Sequence, residues 1–243
     1  MLKIIGVIPA RYTSTRFPGK PLADIHGKPM LWWVYQQVIK VEGLHEVFCA
    51  IDDERIEHAC LEHGLKYIMT SNGHPEHISR VHEVSEHVKA DYYVCVNGDE
   101  PLISGTCIAS VLPNIIHGDA YFGGAMRVLT SPSEVIDAAK IKIVVSSNGR
   151  CLYMSRTPVP HPQGSLLFNY NKYVGIECFN KKALDFFVAT PKGEIEHIED
   201  IDHLRYLENG INLIFDYVDS DSISVDTRKD LEKVRTMLSH TSL

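Results

Sequence analysis

The sequence lacks the features that mark membrane proteins and nucleic-acid-binding proteins. No apolar run approaches the roughly 20 residues that a membrane helix needs, and residues 1–9 read directly into a strand, so we expect no signal peptide. Lys and Arg together number 24 and Asp and Glu 31, which gives a net charge of −7. Affinity for nucleic acids or anionic membranes depends on a basic excess, so the composition argues against both partners.

The sequence also lacks the cysteine and histidine spacing of disulfide scaffolds and zinc sites. Its six cysteines are scattered without a C-x-x-C pair, and its 13 histidines show no metal-binding spacing. We therefore predict reduced thiols and a cytoplasmic protein. With 44% hydrophobic and 23% charged residues in 243, the composition is that of an ordinary globular protein with a substantial core.

What the first half does contain is a regular alternation of strand and helix. Short apolar runs rich in β-branched residues predict strands, and apolar residues three to four positions apart predict the helices between them. Strands are predicted at 2–8, 45–51, 65–69 and 91–96, and helices at 29–41, 55–63 and 78–89. This order predicts an α/β fold with a Rossmann-like, mostly parallel sheet flanked by helices.

The second half is less regular and predicts a smaller antiparallel extension of the sheet. Strands are predicted at 120–129, 141–145, 173–179 and 211–217, and helices at 181–188, 196–209 and 227–238. Neither a repeat nor a linker divides the chain, so we expect a single domain over residues 1–243.

Polar loops follow three of the predicted strands. The segment Arg11–Lys20 follows the first strand, Asp52 and Asp53 follow the second, and Asn97-Gly98-Asp99 follows the fourth. Ligands of parallel α/β sheets gather at the carboxyl ends of the strands. We therefore predict that the three loops face one crevice.

The first of these loops concentrates positive charge. Arg11, Arg16 and Lys20 lie in one short segment together with Gly19. Arginine forks, a lysine point charge and the N–H groups of a glycine-containing loop suit the oxygens of a phosphate chain. Lys20 is followed by Pro21, not by the Ser or Thr of a Walker A loop. A solvated loop with ordinary ion pairs is the competing interpretation.

Three further side chains have both a binding and a structural interpretation. Asp99 follows a strand, where it could hold Mg²⁺ or simply form a turn. Asp226 precedes the terminal helix, which it or Thr227 could cap; beside Asp99, it would complete a magnesium site. Arg156 suits a carboxylate-bearing substrate or an ion pair within the fold.

Taken in order, these motifs resemble the family of 3-deoxy-manno-octulosonate (Kdo) cytidylyltransferases, also called CMP-Kdo synthetases. The resemblance covers nearly the whole chain and is carried by the segments IPARYTSTRFPGKPL, MTSNGHP, VNGDEPLI, YMSRTPVP, VGIECF and SVDTRKDLEKV. It implies a fold of the nucleotide-diphospho-sugar transferase type. It also implies a Mg²⁺-dependent transfer of CMP from CTP to an acidic sugar, Kdo or a related ulosonic acid, with release of pyrophosphate. A cytoplasmic homodimer that acts in lipopolysaccharide biosynthesis is implied as well.

The resemblance further implies roles for individual residues. Lys20, Arg11 and Asp99 would be catalytic, and Asp99 and Asp226 would hold Mg²⁺. The nucleotide would be bound by Ala10, Arg11, Arg16, Lys20, Arg80 and Asp99. The acidic acceptor would be bound by Asn97, Arg156, Tyr173, Glu177, Asp202 and His203. Within the single domain, the nucleotide-binding part would span about 1–110 and the acceptor and dimerisation part about 111–215.

The departures from the family pattern are concentrated in four places. The family usually reads S-G-T-D-R where this chain has Glu76–Arg80, and Gln where it has Asn97. The family's H-I-G-I-Y becomes Tyr173–Glu177, and its L-E-Q-L-R becomes Ile201–Arg205. In the family these positions lie largely around the sugar acid. A lost hydrogen bond to a buried hydroxyl costs about 1–3 kcal/mol, so several such changes predict an altered choice of acceptor.

Two other functions fit the same fold. One is a cytidylyltransferase for a different acid, such as a phosphonate, and the other is a non-catalytic nucleotide-binding protein. The presence of Asp99, Asp226, Lys20 and Arg11 argues against the second, because a protein without turnover does not need to keep metal ligands. Release of pyrophosphate from CTP with a panel of acids separates these functions.

Overall fold

One mixed sheet organises the part of the chain that the structure describes. The structure is a computed structural model, and it describes residues 2–13, 17–165, 169–219 and 222–239. The strands are β1 Ile4–Ala10, β2 Asp24–Ile25, β3 Lys28–Pro29, β4 Glu46–Ile51, β5 Tyr67–Met69, β6 Tyr92–Val96, β7 Phe122–Val128, β8 Lys142–Val145, β9 Cys151–Ser155, β10 Asn171–Asn180 and β11 Leu213–Tyr217. Within the described residues, nine of these strands form one sheet with the order β11-β7-β10-β6-β1-β4-β5, to which β8 and β9 are attached.

Helices cover both faces of this sheet. They are α1 Met30–Val38, α2 Glu54–His63, α3 His77–His87, α4 Gly105–Ala109, α5 Pro132–Ile136, α6 Lys181–Ala189, α7 Glu194–Glu199, α8 Leu204–Glu208 and α9 Arg228–Ser239, and Lys20–Leu22 forms a short 3-10 helix. In the described part of the chain, each helix is too short or too polar to cross a membrane.

The amino-terminal strands pair as the sequence predicts. β1 lies parallel to both β4 and β6, and β4 lies parallel to β5. Side chains of β1 pack on opposite faces: Ile4 and Ile8 belong to the apolar cluster that contains α1, whereas Ile5 and Val7 belong to the one that contains α3. A strand that is buried on both faces reads as an unbroken apolar run, which is why the sequence revealed it. The prediction of a Rossmann-like parallel sheet is confirmed.

The second half adds the antiparallel extension. β10 pairs antiparallel with β6 and β7, and β8 pairs antiparallel with β10 and β9. β11 returns to lie parallel to β7 at the edge of the sheet. The prediction of a smaller antiparallel part is therefore confirmed, although β9, the β2–β3 hairpin and the short helices α4 and α5 were not predicted.

The helix predicted at 196–209 is wrong, because the chain forms α7 and α8 with a break between them. Asp200 adopts a left-handed conformation with φ 51°, which ends α7. In the break, Ile201 and His203 are buried, at 1% and 3% exposure. Apolar periodicity continues across the break, so the sequence pattern could not reveal it.

The terminal helix α9 packs on the amino-terminal half of the chain. Leu231 and Val234 of α9 pack with Phe17, Ile25 and Trp33 in a separate apolar cluster. The helix begins at Arg228, two residues after Asp226, so this packing restricts where that carboxylate lies. All six cysteines are buried free thiols.

Candidate active site

The basic loop leaves β1 and turns back at Gly19. Gly19 has φ 69°, a left-handed conformation that favours glycine, and its N–H donates to the Tyr12 carbonyl at 3.0 Å. The 3-10 turn that follows begins with Lys20 and has Pro21 at its next position. The backbone of Lys20 is therefore fixed by the turn. Arg16 lies outside the described residues.

Lys20 joins the two aspartates that the sequence assigned to a metal site. Its Nζ lies 2.6 Å from Asp99 Oδ2 and 3.7 Å from Asp226 Oδ1. The other oxygen of Asp99, Oδ1, is buried and has no hydrogen-bond partner among the described residues. The fold thus brings together one cation and two carboxylates from three distant parts of the chain.

Asp226 faces this site, and its neighbour Thr227 caps the terminal helix. Thr227 N and Oγ1 donate to Asp230 Oδ2 at 3.0 and 2.7 Å, and Asp230 N donates back to Thr227 Oγ1 at 3.3 Å. This reciprocal pair is a helix-capping arrangement. Val225 N donates to the Asp99 carbonyl at 2.9 Å, which ties the segment before α9 to the loop after β6. Capping is the role of Thr227, not of Asp226.

The loop after β6 can approach β1 only because it contains glycine. A Cβ atom at Gly98 would lie 2.7 Å from the Pro9 carbonyl oxygen, which is closer than real Cβ contacts come. Asn97 N donates to the Gly175 carbonyl at 3.1 Å, and a Cβ at Gly175 would meet the Asn97 side chain. Both glycines therefore allow β1 and β10 to pack closely against the two residues that precede Asp99.

A buried ion pair joins the loops after β1 and β4 to helix α3. Arg80 donates to Asp52 Oδ2 at 2.8 Å and to Thr70 Oγ1 at 2.5 Å, while Asp52 Oδ1 accepts from Tyr12 N at 3.0 Å. Burial lowers the pKa of Arg80, and the Asp52 carboxylate opposes that shift. Arg80, predicted to bind nucleotide, thus anchors the start of the basic loop beside Arg11 through Asp52 and also bonds Thr70.

These elements enclose a cavity of about 440 Å³, called the smaller cavity below. Nine of the residues predicted to bind nucleotide, acceptor or metal line it. Those in its wall are Ala10, Arg11, Lys20, Arg80, Asn97, Asp99, Arg156, Asp202 and Asp226. The first and fourth strand loops meet in this crevice as predicted, whereas Asp52 and Asp53, predicted to face it as well, are not in its wall and pair with Arg80 and Arg55.

A larger cavity of about 1110 Å³ lies on the other side of the aspartates. Asn97, Asp99 and Asp226 line both cavities, and Tyr173 lines only the larger one. The two carboxylates therefore stand where the cavities meet. This is where a group bound in one cavity can reach a group bound in the other.

Two residues predicted to bind the acceptor lie behind the cavity wall. Glu177 and His203 have side-chain exposures of 1% and 4%, and His203 Nε2 lies 2.6 Å from Glu177 Oε1. Tyr173 OH donates to the same oxygen of Glu177, and His77 Nε2 lies 2.9 Å from the other. Burial acts to raise the pKa of Glu177, but the two histidines outweigh it and hold that pKa well below its ordinary value. Their direct contact with an acceptor stays a prediction.

Arg156 is held by backbone carbonyls at the cavity wall. Its guanidinium donates to the carbonyls of Glu199 and Asp200 at 2.6 Å each and to that of Ala138 at 3.2 Å. The Glu199 carboxylate accepts from Arg156 N at 2.8 Å. These bonds support the structural interpretation of Arg156, while its place in the cavity wall leaves acceptor binding as a prediction.

Asp99 and Asp226 suit a hard divalent cation. Mg²⁺ prefers carboxylate oxygens and usually completes its shell with water and substrate phosphates. The unpartnered, buried Oδ1 of Asp99 is an oxygen of that kind, and the Lys20 ammonium already lies where positive charge is required. The donor set thus fits Mg²⁺, which Asp99 and Asp226 would hold.

His77 and Glu76 are among the residues of the cavity wall that sequence reasoning missed. Both lie in the stretch that departs from the family pattern, which was the available signal. Asp52 was placed at the crevice, but its role as the partner of a buried arginine was not foreseen. In the sequence, Asp52 could be noticed by its position directly after the second strand.

Comparisons with known proteins agree with this geometry. The family profile described as "Cytidylyltransferase" matches residues 5–219. The chain is 37% identical to the 3-deoxy-manno-octulosonate cytidylyltransferase of Escherichia coli, over 98% of this chain and 97% of that protein. It is 34% identical to the mitochondrial enzyme of that name from Arabidopsis thaliana, over 97% of this chain and 83% of that protein.

Solved structures give the same result. A CMP:2-keto-3-deoxy-manno-octonic acid synthetase complexed with CTP superimposes with a TM-score of 0.90 at 36% identity, over 98% of both chains. The inositol-1-phosphate CTP transferase of T. maritima shares the fold, with a TM-score of 0.70 at 15% identity over 98% of this chain and 96% of that one. The chain therefore belongs to the cytidylyltransferase family, among the 3-deoxy-manno-octulosonate cytidylyltransferases, a family of nucleotidyltransferase enzymes.

Proposed function

We propose that the protein is a Mg²⁺-dependent cytidylyltransferase that transfers CMP from CTP to an acidic sugar, Kdo or a related ulosonic acid, and releases pyrophosphate. The observation that carries the proposal is the contact of Lys20 with both Asp99 and Asp226 at the junction of two cavities. The names of the relatives, and the CTP bound in one of their structures, support the choice of nucleotide and acceptor.

In this reaction an acceptor oxygen attacks the α-phosphorus of CTP, the bond from that phosphorus to the bridging oxygen breaks, and pyrophosphate leaves. Positioning and charge stabilisation are sufficient, so no covalent intermediate is needed. Arg11 and Lys20, at the wall of the smaller cavity, would bind the triphosphate. A bound Mg²⁺ held by Asp99 and Asp226 would supply charge neutralisation at the phosphates.

Ala10 and Arg80 have different roles under this proposal, and nucleotide binding by Arg16 stays a prediction. Ala10 ends β1 at the cavity, and Arg80 fixes the basic loop through Asp52. Asn97 and Tyr173, together with Asp202, would contact the acceptor. The division into a nucleotide part at about 1–110 and an acceptor part at about 111–215, and the homodimer, stay predictions. Light scattering after size-exclusion chromatography tests the homodimer.

The test is pyrophosphate release by the purified protein with CTP, MgCl₂ and Kdo, followed by a coupled phosphate assay. Phosphorus NMR should show a new CMP-linked product, and omission of MgCl₂ or of the acid should abolish it. Calorimetric binding of CTP without turnover of any acid would instead favour a non-catalytic nucleotide-binding protein. Turnover of other acids but not of Kdo would keep the reaction and change the acceptor.

A further inference from the structure

Four of the positions at which the chain departs from its family meet in one buried cluster. Glu177 of β10 stands at its centre, with His77 from the start of α3, His203 from the break before α8, and Tyr173 from the same strand. Glu177 is fully buried, yet its carboxylate accepts hydrogen bonds from all three rings. A buried carboxylate with three donors is a built feature, because an unpaired one would be strongly unfavourable.

Of the three rings, only that of His77 reaches the smaller cavity. Its side chain is 24% exposed and lines the cavity with Arg11, Lys20 and Asp99. Because a carboxylate only accepts hydrogen bonds, the His77 nitrogen on Glu177, Nε2, carries a proton. The second nitrogen, Nδ1, lies 3.9 Å from Asp202 Oδ2, beyond hydrogen-bonding distance.

We propose that His77 determines acceptor specificity, that its protonated ring donates from Nδ1 to an oxyanion of the acceptor, a carboxylate or a phosphonate, and that Glu177 positions it. This inference rests on the proposed function and names a residue that holds the acceptor of that reaction. His77 comes from α3 and Arg11 from the loop after β1, so different elements of the cavity wall would hold the acceptor's anion and the triphosphate.

The charged groups around His77 keep its ring protonated. Burial lowers the pKa of His77, but Glu177 opposes it most strongly, followed by Asp202 and Glu76, and together they raise the pKa to about 9. Glu177 faces the ring from β10, Asp202 from the turn before α8, and Glu76 from the residue before α3. At neutral pH both ring nitrogens are therefore donors, and the bond to an oxyanion is charge-assisted.

A metal ion held by His77, Glu177 and His203 is the main competing interpretation, since their ligand atoms lie within 4.8 Å of one another. The observed contacts are instead hydrogen bonds: 2.9 Å from His77 and 2.6 Å from His203, each to a different oxygen. Ligands at about 2.0–2.2 Å from a tetrahedral zinc would lie about 3.3 Å from one another. His203 Nδ1 also lacks a partner among the described residues, whereas metal-bound histidines usually donate through the other nitrogen.

The test compares acceptor and CTP kinetics in His77→Gln, Glu177→Gln and the control His82→Gln. His82 lies on the same helix but pairs with Asp185 at the surface. We expect His77→Gln to raise the acceptor KM by about 10- to 100-fold, the loss that a hydrogen bond to a charged group produces, and to change the CTP KM less than twofold. His82→Gln should behave as the wild type with both substrates.

The pH profile tests the positioning role of Glu177. In the wild type, the acceptor kcat/KM should fall only as the pH approaches 9, where His77 loses its proton. Without the Glu177 charge, burial is opposed only by Asp202 and Glu76, so in Glu177→Gln the fall should begin at a lower pH than in the wild type. A merely structural role of Glu177 would lower the rate without moving the profile.

The acids are Kdo and a simple alkylphosphonate, and their binding is also measured by calorimetry with a non-hydrolysable CTP analogue. Acid binding that depends on His77, but without turnover, would contradict the proposed function and keep this inference. Turnover that is unaffected by His77→Gln would overturn the inference about His77 and leave the proposed function standing. If the protein binds neither acid, the inference about His77 is also overturned. One zinc per chain by mass spectrometry, with loss of activity on chelation, would replace it with the metal site.

Discussion

Replacing Asp52 by Asn should destabilise the fold far more than its place in a loop suggests. The side chains of Asp52 and Arg80 are 5% and 3% exposed, and Asp52→Asn leaves the guanidinium buried without its counter-charge. Removing one partner of such a pair costs about 3–5 kcal/mol in the free energy of unfolding. The new amide still accepts from Tyr12 N, but its NH₂ group would face the donors of Arg80.

The assay is equilibrium unfolding in urea, followed by circular dichroism and tryptophan fluorescence. With a slope of about 3 kcal/mol/M, the loss corresponds to a midpoint lower by about 1–2 M. Asp53→Asn is the matched control, because Asp53 pairs with Arg55, whose side chain is 60% exposed. An exposed pair contributes about 0–1 kcal/mol, so the control should unfold close to the wild type.

The double variant Asp52→Asn/Arg80→Met separates the charge from the packing. It leaves no charge buried, so it should be more stable than Asp52→Asn alone. A double-mutant cycle that includes the single variant Arg80→Met should show a coupling energy between the two sites. A loss below about 1 kcal/mol in Asp52→Asn, with additive effects in the double variant, would refute the buried ion pair. Because Asp52 anchors Tyr12 beside Arg11, CTP affinity should fall in the single variant as well.

Three further outcomes are expected. Asp99→Asn and Asp226→Asn should each abolish pyrophosphate release while melting temperature and circular dichroism change little; full activity in either would remove it from the metal site. Gly98→Ala should lower both stability and turnover, since a Cβ there would lie 2.7 Å from the Pro9 carbonyl oxygen; unchanged melting would contradict that contact. The pKa of His77 is raised to about 9, so its contribution to stability is complete below about pH 6.5 and is lost as the pH rises through 9. The difference in melting temperature between wild type and His77→Gln should therefore shrink between pH 7 and 10, and a constant difference would contradict the charge on His77.

The parallel half of the fold could be predicted because its physics is local. β1 and β6 are buried on both faces, and such strands show as short apolar runs bounded by polar loops. The positions of Lys20 and Asp99 at strand ends followed from the same reasoning. Their exact partners did not, because the contact of Lys20 with Asp226 depends on how α9 packs against Phe17 and Trp33.

The buried cluster around Glu177 could not be predicted for a different reason. A glutamate within the apolar run of β10 and a histidine at the start of α3 each resemble surface residues when read locally. Only the fold shows that they neutralise one another at 2.9 Å. The break between α7 and α8, which turns His203 inward, is likewise set by tertiary contacts and not by helix propensity.

The proposed triphosphate side and the proposed acceptor side of the site are held by different interactions. This difference determines on which side substitutions are tolerated. The side proposed to bind the triphosphate is fixed by backbone constraints at Gly19 and Gly98 and by the buried pair of Arg80, where substitution disturbs the fold itself. The acceptor side is fixed by hydrogen bonds among side chains, so a compensated exchange of several residues can give a different pocket with the same sheet beneath it. His77 and Glu177 have the character of such an exchange, since each would be unfavourable in this position without the other. We therefore expect the cytidylyl transfer to be retained in this chain while the acceptor is the element that differs from its relatives.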